Sequence, residues 1–304
     1  MLGADGFVGA HLRVVAEREG MRVVSAGHRP NDGVQACDLR DPASIEACVG
    51  AVQPDLVINA AGTASVRESW ENPGLAFGTN AKGVLNLLTA MAGKAPDASL
   101  VCLSSAEVYG DRGADGLALN EKLAPHPVTP YGTGKMAMEG FCLEFAQALE
   151  MRIAVIRVFN LIGPGQRAEF AASGFAKRIV EAERGGEERV ELALGNPGAV
   201  RDFTDVRDAT QALLEISRRE ILGVFNLCSG RGTSIAELVG ELDRATSVDV
   251  VARRAAELER PADPSALVGD PTSMREAIGF TASTPLSQTL ADLLEWWRSQ
   301  PAPA

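Results

Sequence analysis

Two side chains that can exchange a proton stand four positions apart, at Tyr131 and Lys135. Pro130 precedes them and an apolar-striped segment follows as far as Leu149, a pattern that predicts a long helix. Residues four apart on a helix share a face, so the Lys135 ammonium can lie near the Tyr131 phenol and favour its ionised form. The spacing also occurs by chance on many helix surfaces. We therefore interpret Tyr131 as a candidate acid or base that needs support from elsewhere in the chain.

A second hydroxyl-bearing stretch supports that interpretation. The chain has only 2 tyrosines in 304 residues, and the other one, Tyr109, follows Ser104 and Ser105. The apolar run Leu100 to Leu103 directly before them predicts a buried strand. The C-terminal end of such a strand would deliver a hydroxyl to the site of Tyr131.

A glycine-rich loop opens the chain, with Gly3, Gly6 and Gly9 spaced around Phe7 and Val8. Glycines let the backbone turn tightly and approach a pyrophosphate, which then lies at the N-terminus of the following helix. A helical pattern does follow, and it is succeeded by a strand-like run over residues 21 to 26. The order of loop, helix and strand predicts that these five residues bind a dinucleotide cofactor.

The strand that should precede this loop is represented only by Met1 and Leu2. That strand is normally central in a doubly wound sheet. Either the start of the chain was assigned too late or the cofactor domain is damaged. We favour the first interpretation, because the motifs downstream are intact.

The choice of cofactor is predicted by the next loop, Gly27 to Arg29. An NAD-specific protein usually has an acidic residue there, and this chain has none. Gly27 leaves room for a 2′-phosphate, which Arg29 and His28 could meet, so NADP(H) is predicted to be preferred over NAD(H). Asp38, next to Leu39, could reach the adenine amine or could simply cap a turn.

Further along, the chain keeps alternating predicted strands and helices. Asp41 and Pro42 are the predicted N-cap and first residue of a helix ending near residue 52. Ala60 and Ala61 follow a buried-type strand and are small enough to let a cofactor lie against the backbone, although small residues are also common in tight turns. A single helix is predicted from Pro73 to about residue 91.

The alternation predicts an α/β fold with a Rossmann-type doubly wound parallel sheet, whose first strand is apparently missing. We expect a dinucleotide-binding domain over residues 1–165. A smaller substrate-binding lobe, interleaved with it, is expected over residues 166–304, where the alternation loosens. In that lobe Ser234 resembles a helix cap, and a last helix is predicted from about Leu286 to Arg298.

Composition excludes several classes of protein. The net charge of −11 argues against a broad nucleic-acid or membrane-surface footprint. Neither a transmembrane span nor a signal peptide is predicted, since no apolar run is long enough and the amino terminus lacks a cationic region. The 5 widely spaced cysteines suit buried thiols, and the 3 scattered histidines give no metal-ligand spacing. We expect a cytoplasmic protein without a metal.

The motifs together resemble the extended short-chain dehydrogenase/reductase family, in the branch that modifies nucleotide-linked sugars (the NAD-dependent epimerases and dehydratases). The resemblance covers nearly the whole chain. It is carried by Gly3 to Gly9, Asp38–Leu39, Asn80 to Gly83, Ser104 to Gly110, Tyr131 to Lys135, Phe159–Asn160, Arg201 to Phe203 and Arg260 to Asp263. Within the branch, the stretches Phe159 to Gln166, Arg201 to Asp208 and Leu267 to Pro271 look most like GDP-6-deoxy-D-mannose reductases.

The resemblance implies roles for individual residues. Tyr131 would donate a proton and Ser105 would hydrogen-bond the carbonyl oxygen, while Lys135 would hold the nicotinamide ribose. The substrate would be a nucleotide-linked 4-keto-6-deoxyhexose, reduced at C4 by NADPH. The residues implied to bind its diphosphate and ribose are Asn160, Arg201, Arg260 and Asp263.

Three alternatives stay open. Glu107 occupies the place of the general base in the GDP-mannose 4,6-dehydratases, so a dehydratase, or a sugar-nucleotide 4-epimerase, is an alternative activity. A dinucleotide-binding sensor without catalysis is an alternative of another class, although it would have no need of a proton donor.

The breadth of the apolar stripe on the Tyr131 helix also permits a helix-to-helix contact, so we expect a homodimer.

Overall fold

The structure is a computed structural model that describes residues 1–28, 33–114, 116–259 and 263–301. Its helices are α1 Phe7–Arg18, α2 Pro42–Val52, α3 Val66–Glu71, α4 Pro73–Phe77, α5 Gly83–Lys94, α6 Pro130–Ala148, α7 Ala171–Gly185, α8 Val206–Arg218, α9 Ile235–Arg244, α10 Thr272–Ile278 and α11 Leu286–Ser299. Its strands are β1 Ser25–Gly27, β2 Val34–Ala36, β3 Leu56–Asn59, β4 Ser99–Ser105, β5 Ile153–Val158, β6 Asn160–Ile162, β7 Arg189–Leu194, β8 Val200–Asp205, β9 Gly223–Leu227, β10 Gly232–Ser234, β11 Asp249–Arg254 and β12 Ala266–Leu267.

The main sheet is parallel, with β3, β4, β5 and β9 side by side in that order and β1 and β2 beyond β3. Helices cover both faces. One apolar core packs α2, α5 and α6 against the sheet, and the other packs α1, α8 and α10. All residues of β4 are buried, as a central strand covered on both sides requires. The predicted doubly wound α/β fold is confirmed.

Leu2 lies at the centre of this sheet, where it bridges β1 and β3. Its N–H donates to Ile58 O at 3.0 Å, and its carbonyl accepts from the Ala60 N–H at 3.1 Å. On the other side the Gly3 N–H donates to Ala26 O at 3.2 Å. Leu2 therefore stands in the place of the central strand, and the glycine loop leaves the sheet directly from it.

The strand predicted over residues 21 to 26 is shorter in the structure, where β1 is Ser25–Gly27. β1 pairs with β2 and with Leu2, and these pairs extend only along Ser25–Gly27. The carbonyl of Val24 instead accepts from the amino group of Met1 at 2.8 Å. A strand needs neighbours as well as an apolar pattern, so this prediction was wrong in its bounds.

The C-terminal part of the chain contributes to two places. β8 pairs with β6, β10 and β12, and β7 pairs with β11, around a third apolar core formed with α7, α9 and α11. In contrast, β9 pairs with β5 and extends the main sheet. The chain segment that follows residue 165 therefore contributes both to the main sheet and to this third core.

The helix starts follow the predicted capping chemistry. The Asp41 side chain accepts from the Ala43 N–H at 3.0 Å, and Pro42 is the first residue of α2. Ser234 begins α9 with a capping box, in which its side chain and that of Glu237 each accept from the other's backbone N–H. The predicted last helix is confirmed as α11.

The single helix predicted from Pro73 is interrupted. α4 ends at Phe77, a π-helical segment covers residues 78–82, and α5 begins at Gly83. Such segments are rare and often lie at functional sites. This one carries Asn80, which is buried.

All 5 cysteines are free and buried, as the sequence predicts. Within the described part of the chain, no helix is both long and apolar enough to cross a membrane.

Candidate active site

The catalytic candidates meet where the C-terminal end of β4 faces the first turn of α6. Thr129 caps α6 by accepting a hydrogen bond from the Gly132 N–H at 3.0 Å, and Pro130 is the first helical residue. Tyr131 is thus held in the first turn, and its N–H donates to Ser69 Oγ at 3.2 Å. The Tyr131 side chain is buried. Its phenol is therefore largely shielded from water, in an environment of low dielectric constant.

Ser105 is the last residue of β4, and its hydroxyl interacts with the Tyr131 phenol. Burial raises the pKa of Tyr131 to about 12, because the phenolate would lose its hydration. The interaction with Ser105 opposes this rise, and the negative charge of Glu107 adds to it. At neutral pH Tyr131 is therefore a protonated phenol, ready to donate.

Lys135 lies one turn further along α6 and is also buried. Its Nζ donates to the Leu103 carbonyl of β4 at 2.7 Å. Burial lowers the pKa of the ammonium, while the thiol of Cys102 and the carboxylate of Glu139 act to raise it. The sequence predicts that Lys135, together with a cationic nicotinamide ring, favours the phenolate of Tyr131. The structure shows the Lys135 ammonium held by the β4 backbone, on the helix that carries Tyr131.

Sequence reasoning assigned no role in the site to Asn80 and Gly62, which lie beside Lys135. Asn80 Oδ1 accepts from the Thr63 N–H at 3.0 Å, and its Nδ2 donates to Thr63 O at 3.0 Å. A Cβ on Gly62 would stand 2.6 Å from Asn80 Oδ1 and 3.7 Å from Lys135 Nζ. Only glycine lets this loop pass so close. The signal available in the sequence was the Asn80 to Gly83 motif, whose place in space required the fold.

Glu107 follows Ser105 in a short 3-10 helix, residues 106–108, and packs beside the Tyr131 helix. Its backbone carbonyl would stand 2.5 Å from a Cβ on Gly132. The negative charge of its side chain raises the pKa of the Tyr131 phenol, in addition to the larger rise that burial causes. The structure therefore brings Ser105, Glu107, Tyr131 and Lys135 together, which is the predicted catalytic set.

The glycine loop forms a tight cradle against the end of β3. Gly3 has a φ of +74°, and a Cβ there would stand 2.7 Å from the Ala61 nitrogen and 2.8 Å from the Ala60 carbonyl oxygen. A Cβ on Gly9 would stand only 2.1 Å from Gly3 O. The Gly6 N–H donates to Gly3 O at 3.0 Å, which closes the turn before α1. Five of the predicted cofactor residues thus meet in one place.

The first turn of α1 begins with Phe7 and Val8, and its N-cap Gly6 offers no side-chain hydrogen bond. The backbone N–H groups of such a turn favour an anionic group. The cradle lacks the side-chain bulk that would keep a pyrophosphate away from these groups. The residues present therefore fit a dinucleotide.

The predicted adenine end is only partly described. Arg29 lies outside the described residues, and His28 is exposed. The carboxylate of Asp38 accepts from the Arg40 backbone N–H at 2.9 Å and from the Arg40 guanidinium at 2.7 Å. These bonds lower the pKa of Asp38 to about 2. The structure thus has the turn-capping arrangement that the sequence had left open for Asp38, and Leu39 is buried.

On the substrate side, Arg201 and Asp263 form an ion pair across 62 residues of sequence, with Nη2 2.7 Å from Oδ1. Arg201 is buried, and its Nη1 also donates to Pro264 O at 2.9 Å. Asn160 is exposed on β6, where it lies in register with Phe203 of β8. Residues two apart on a strand share a face, so Asn160 and Arg201 lie on the same side of this sheet. Arg260 lies outside the described residues.

Asp202, next to Arg201, is a buried anchor that sequence reasoning did not single out. Burial raises its pKa, and hydrogen bonds from Ser229 and from the backbone of Gly269 and Gly230 oppose that rise. The bonds from the Ser229 hydroxyl and the Gly230 N–H measure 2.6 Å and 2.9 Å. Asp202 on β8 thereby joins the loop that follows β9 and the loop that follows β12, next to Arg201.

The hydroxyl that the strand end brings to Tyr131 is that of Ser105, whereas Tyr109 is part of the core. Its side chain is fully buried, its hydroxyl donates to Asn226 Oδ1 at 2.7 Å, and it accepts from Arg157 Nη1 at 2.9 Å. Burial raises the pKa of Tyr109 to about 12. The short helix after Ser105 turns this side chain back into the core, away from the end of the strand.

Among the residues that the structure describes, no group of three or more His, Cys, Asp or Glu side chains is placed to hold a metal ion.

Comparisons with known proteins extend over nearly the whole chain. The sequence pattern of the NAD dependent epimerase/dehydratase family matches residues 1–228. The GDP-6-deoxy-D-mannose reductase of Pseudomonas aeruginosa is 31% identical over 301 residues, which cover 98% of this chain and 96% of that protein. The solved structure of RMD from Pseudomonas aeruginosa complexed with NADPH is 31% identical and covers 98% of both chains, with a TM-score of 0.85. The UDP-glucose 4-epimerase of Thermus thermophilus, solved with NAD, is 25% identical and covers 98% of both chains, with a TM-score of 0.87.

Proposed function

Because this chain belongs to the NAD dependent epimerase/dehydratase family and is an NAD(P)-dependent enzyme acting on nucleotide sugars, we propose that it reduces the C4 keto group of a nucleotide-linked 4-keto-6-deoxyhexose. The observation that carries the proposal is the geometry of the site, in which Ser105 at the end of β4 meets Tyr131 and Lys135 on α6. A reductase gives a proton to a carbonyl oxygen, and the Tyr131 phenol can donate it. Similarity over nearly the whole chain to a GDP-6-deoxy-D-mannose reductase favours a reductase over an epimerase or a dehydratase.

In the proposed reaction Tyr131 transfers its proton to the C4 oxygen while C4 receives a hydride, so that the C=O group becomes a CH–OH group. When bound, NADPH supplies that hydride. The Ser105 hydroxyl, already beside the phenol, hydrogen-bonds the same oxygen and stabilises the charge that develops on it. A hydrogen-bond donor in such a place is worth about 3 kcal/mol of barrier. Lys135 holds the nicotinamide ribose and, as a cation, favours the phenolate that remains.

Lys135 would hold the cofactor at its nicotinamide ribose, and the glycine loop would hold it at its pyrophosphate. The cradle of Gly3, Gly6 and Gly9 would hold the pyrophosphate at the first turn of α1, with Ala60 and Ala61 beneath it. Relatives bind different cofactors, since one solved structure carries NADPH and another carries NAD. We propose NADPH for this chain on the sequence between Gly27 and Arg29, which has no acidic residue.

The cofactor preference is testable at Arg29. We expect kcat/KM to be higher with NADPH than with NADH, and Arg29→Ala to reduce that ratio by about tenfold, since a charge-assisted hydrogen bond to the 2′-phosphate is lost. Arg22→Ala removes the same charge from an exposed site before β1 and serves as the control. Steady-state rates with each cofactor give the ratio. Equal kcat/KM values for the two cofactors in the parent protein would contradict the prediction.

The substrate diphosphate would lie at Arg201, whose guanidinium is held in place by Asp263. Planar guanidinium groups bind phosphate oxygens through paired hydrogen bonds, and Asp263 limits how Arg201 can turn. We propose that Arg260 contributes a second positive charge, while Asn160 and Asp263 contact the ribose or the sugar. The base and the sugar of the substrate follow by analogy with the reductase relative, which acts on a GDP sugar by its name.

A dehydratase or epimerase is the second candidate, and Glu107 is the observation that favours it. Its charge acts directly on the Tyr131 phenol, as a base placed beside the substrate would. A 4,6-dehydratase oxidises C4, removes the C5 proton with a base and returns the hydride to C6, so it consumes no NADPH. A reductase needs no such base and consumes one NADPH per product.

Glu107→Gln separates the two. For a reductase we expect kcat to fall by less than about tenfold, because the substitution keeps the shape and no base is needed. For a dehydratase the loss of a general base costs about 10²–10⁴ in rate. Glu144→Gln, on the exposed face of α6, is the matched control.

The assay supplies GDP-mannose and, in a separate reaction, its 4-keto-6-deoxy derivative, and it follows NADPH absorbance and product mass together. We expect product two hydrogen atoms heavier than the keto sugar, with equal NADPH consumed. Loss of water from GDP-mannose without net NADPH consumption, abolished by Glu107→Gln, would overturn the reductase proposal. If the protein binds NADPH but leaves both GDP-mannose and the keto sugar unchanged, the proposed substrate is wrong and the result supports the sensor alternative.

We also propose a homodimer in the cytoplasm. Large apolar side chains are exposed on α3, α4 and α6, where Trp70, Phe77 and Leu143 are each close to half exposed. A cleft of about 440 Å³ is lined by Trp70, Phe77 and the segment that leads into α6. Burial of such side chains against a second copy would stabilise a pair of chains.

A further inference from the structure

A buried polar cluster lies behind the candidate active site, and none of the catalytic steps above uses it. It comprises Glu139 of α6, Arg157 of β5, Ser104 of β4, Asn226 of β9 and Tyr109, which follows β4 in the chain. We call it the Glu139 cluster. All five residues are buried. Burying charged groups is costly unless they are paired, so the arrangement of the cluster requires a physical explanation.

The carboxylate of Glu139 is fully engaged. Arg157 donates to it three times, from Nε to Oε1 at 3.1 Å, from Nε to Oε2 at 3.2 Å and from Nη2 to Oε2 at 2.8 Å. The Ser104 hydroxyl donates to Oε1 at 2.5 Å. The side chains of Glu139 and Arg157 are only 4% and 5% exposed. The carboxylate is therefore held to β4 through Oε1 and to β5 through both oxygens.

These contacts connect directly to the catalytic residues. Glu139 follows Lys135 by four positions and Tyr131 by eight, so the three side chains lie on one face of α6. Ser104 directly precedes Ser105 at the end of β4. The Ser104–Glu139 bond therefore ties the strand end that carries Ser105 to the helix face that carries Lys135.

The cluster also extends across the main sheet to β9, the strand that pairs with β5. Arg157 Nη1 donates to the Tyr109 hydroxyl at 2.9 Å, which donates to Asn226 Oδ1 at 2.7 Å. Asn226 Nδ2 then donates to Leu119 O at 2.8 Å. A continuous chain of hydrogen bonds thus runs from the catalytic helix to β9.

The charges around Lys135 depend on this cluster. Burial lowers the pKa of the ammonium, and the groups that oppose it are Cys102 on β4 and Glu139 and Cys142 on α6. Glu139 is the carboxylate among them. Arg157 faces Glu139 from β5, and Glu107 lies further off, beside Tyr131. Without Glu139, two buried cations would remain, and the carboxylate that stabilises the ammonium would be gone.

We propose that Glu139, clamped by Arg157, is a positioning residue of the active site, which holds Ser105 against the Tyr131 helix and keeps a negative charge beneath the Lys135 ammonium. The inference rests on the proposed function only for the roles of Ser105 and Lys135. The competing explanation is that the ion pair serves folding alone. Buried ion pairs are often replaceable by apolar residues without loss of stability, so the two explanations can be separated.

Three variants make the test. Glu139→Gln keeps the shape and the Ser104 contact but removes the charge. The double variant Glu139→Met/Arg157→Met removes both charges together, so it leaves no uncompensated buried ion and protects the fold if the single variant is unstable. Glu144→Gln makes the same chemical change on the exposed face of the same helix and is the control. Thermal unfolding establishes that each variant is folded.

The first measurement does not involve turnover. The chain has only 5 lysines, so in protein with ¹³C-labelled lysine the Cε signal of Lys135 can be followed by NMR as pH is raised, with Lys135→Arg giving its assignment. We expect the titration of Lys135 to move to lower pH in Glu139→Gln, because the negative charge that favours the ammonium is lost. The double variant should move it in the same direction by less, since an opposing positive charge is lost too. Glu144→Gln should leave it unchanged.

The second measurement is the pH profile of kcat/KM with NADPH and the 4-keto sugar. The ammonium form of Lys135 is the active one, and a lower pKa means that it is lost at lower pH. The kcat/KM of Glu139→Gln should therefore fall by tenfold or more at the alkaline end of the profile and by less at the acid end. Each pH unit by which the Lys135 titration of the variant lies below that of the parent corresponds to about a tenfold difference in the fraction of ammonium at alkaline pH.

The outcomes are distinct. If folded Glu139→Gln and the folded double variant keep both the parent's Lys135 titration and its pH profile, the cluster serves folding alone and the inference is overturned. If the Lys135 titration moves as expected but no 4-keto sugar is reduced even by the parent protein, the positioning role stands and the proposed substrate is wrong.

Discussion

Tyr131→Phe is expected to reduce kcat by about 10²–10⁴-fold and to leave NADPH affinity within about twofold of the parent protein. The ring that fills the site remains, and only the hydroxyl that donates the proton is removed. Burial holds the pKa of that hydroxyl at about 12, so at neutral pH nearly every parent molecule carries the proton that the variant lacks. Single-turnover rates with the keto sugar and fluorescence titration with NADPH measure the two quantities.

The variant also loses the interaction between the phenol and Ser105, which can contribute no more than about 1 kcal/mol to stability. A thermal unfolding curve close to that of the parent shows that the loss of rate is chemical. Activity within tenfold of the parent would be incompatible with Tyr131 as the proton donor. A parallel loss of NADPH binding would instead indicate that the phenol holds the cofactor.

Gly9→Ala is expected to weaken NADPH binding by more than about tenfold and to lower the free energy of unfolding by about 1–3 kcal/mol. The new Cβ would stand 2.1 Å from Gly3 O and 2.8 Å from the Gly3 carbonyl carbon. These are backbone atoms of the cradle itself, and they cannot rotate away as a side chain could. The loop must open, and the first turn of α1 loses the geometry that suits a pyrophosphate.

Gly93→Ala is the matched control, because it lies within α5, is exposed and has no neighbour within 4 Å of a new Cβ. It should stabilise the protein by about 0.5–1 kcal/mol, since alanine is the better helix former, and leave NADPH binding unchanged. Titration with NADPH and chemical denaturation are measured on both variants. Parent-like affinity in Gly9→Ala would show that the cradle does not hold the cofactor.

Several parts of the site could be predicted from residue type and spacing alone. Tyr131 and Lys135 share a helix face because the helical repeat places residues four apart together, whatever surrounds them. Asp41 and Ser234 cap helices because their side chains reach backbone N–H groups only two or three residues away. The glycine spacing at Gly3 to Gly9 likewise predicts a tight loop. Each of these interactions is complete within a few residues of chain.

Partners distant in sequence could not be predicted in this way. Arg201 meets Asp263 only because β8 and β12 are neighbours in one sheet. Tyr109 turns into the core because Arg157 and Asn226, from β5 and β9, bind its hydroxyl there. One local contact was also left open: Asp38 could cap a turn or reach an adenine, and the structure shows it held by Arg40, two residues away.

By itself, the sequence determined the order of the sheet-forming segments, the helix that carries Tyr131 and Lys135, and the loop that suits a pyrophosphate, since each depends on short-range periodicity and backbone freedom. The tertiary structure alone decided the raised pKa of Tyr131 and the partner of Lys135. Both depend on how much water is excluded and on which strand end faces α6. Solvation and contact across the sheet are properties of the packed molecule, and no spacing along the chain specifies them.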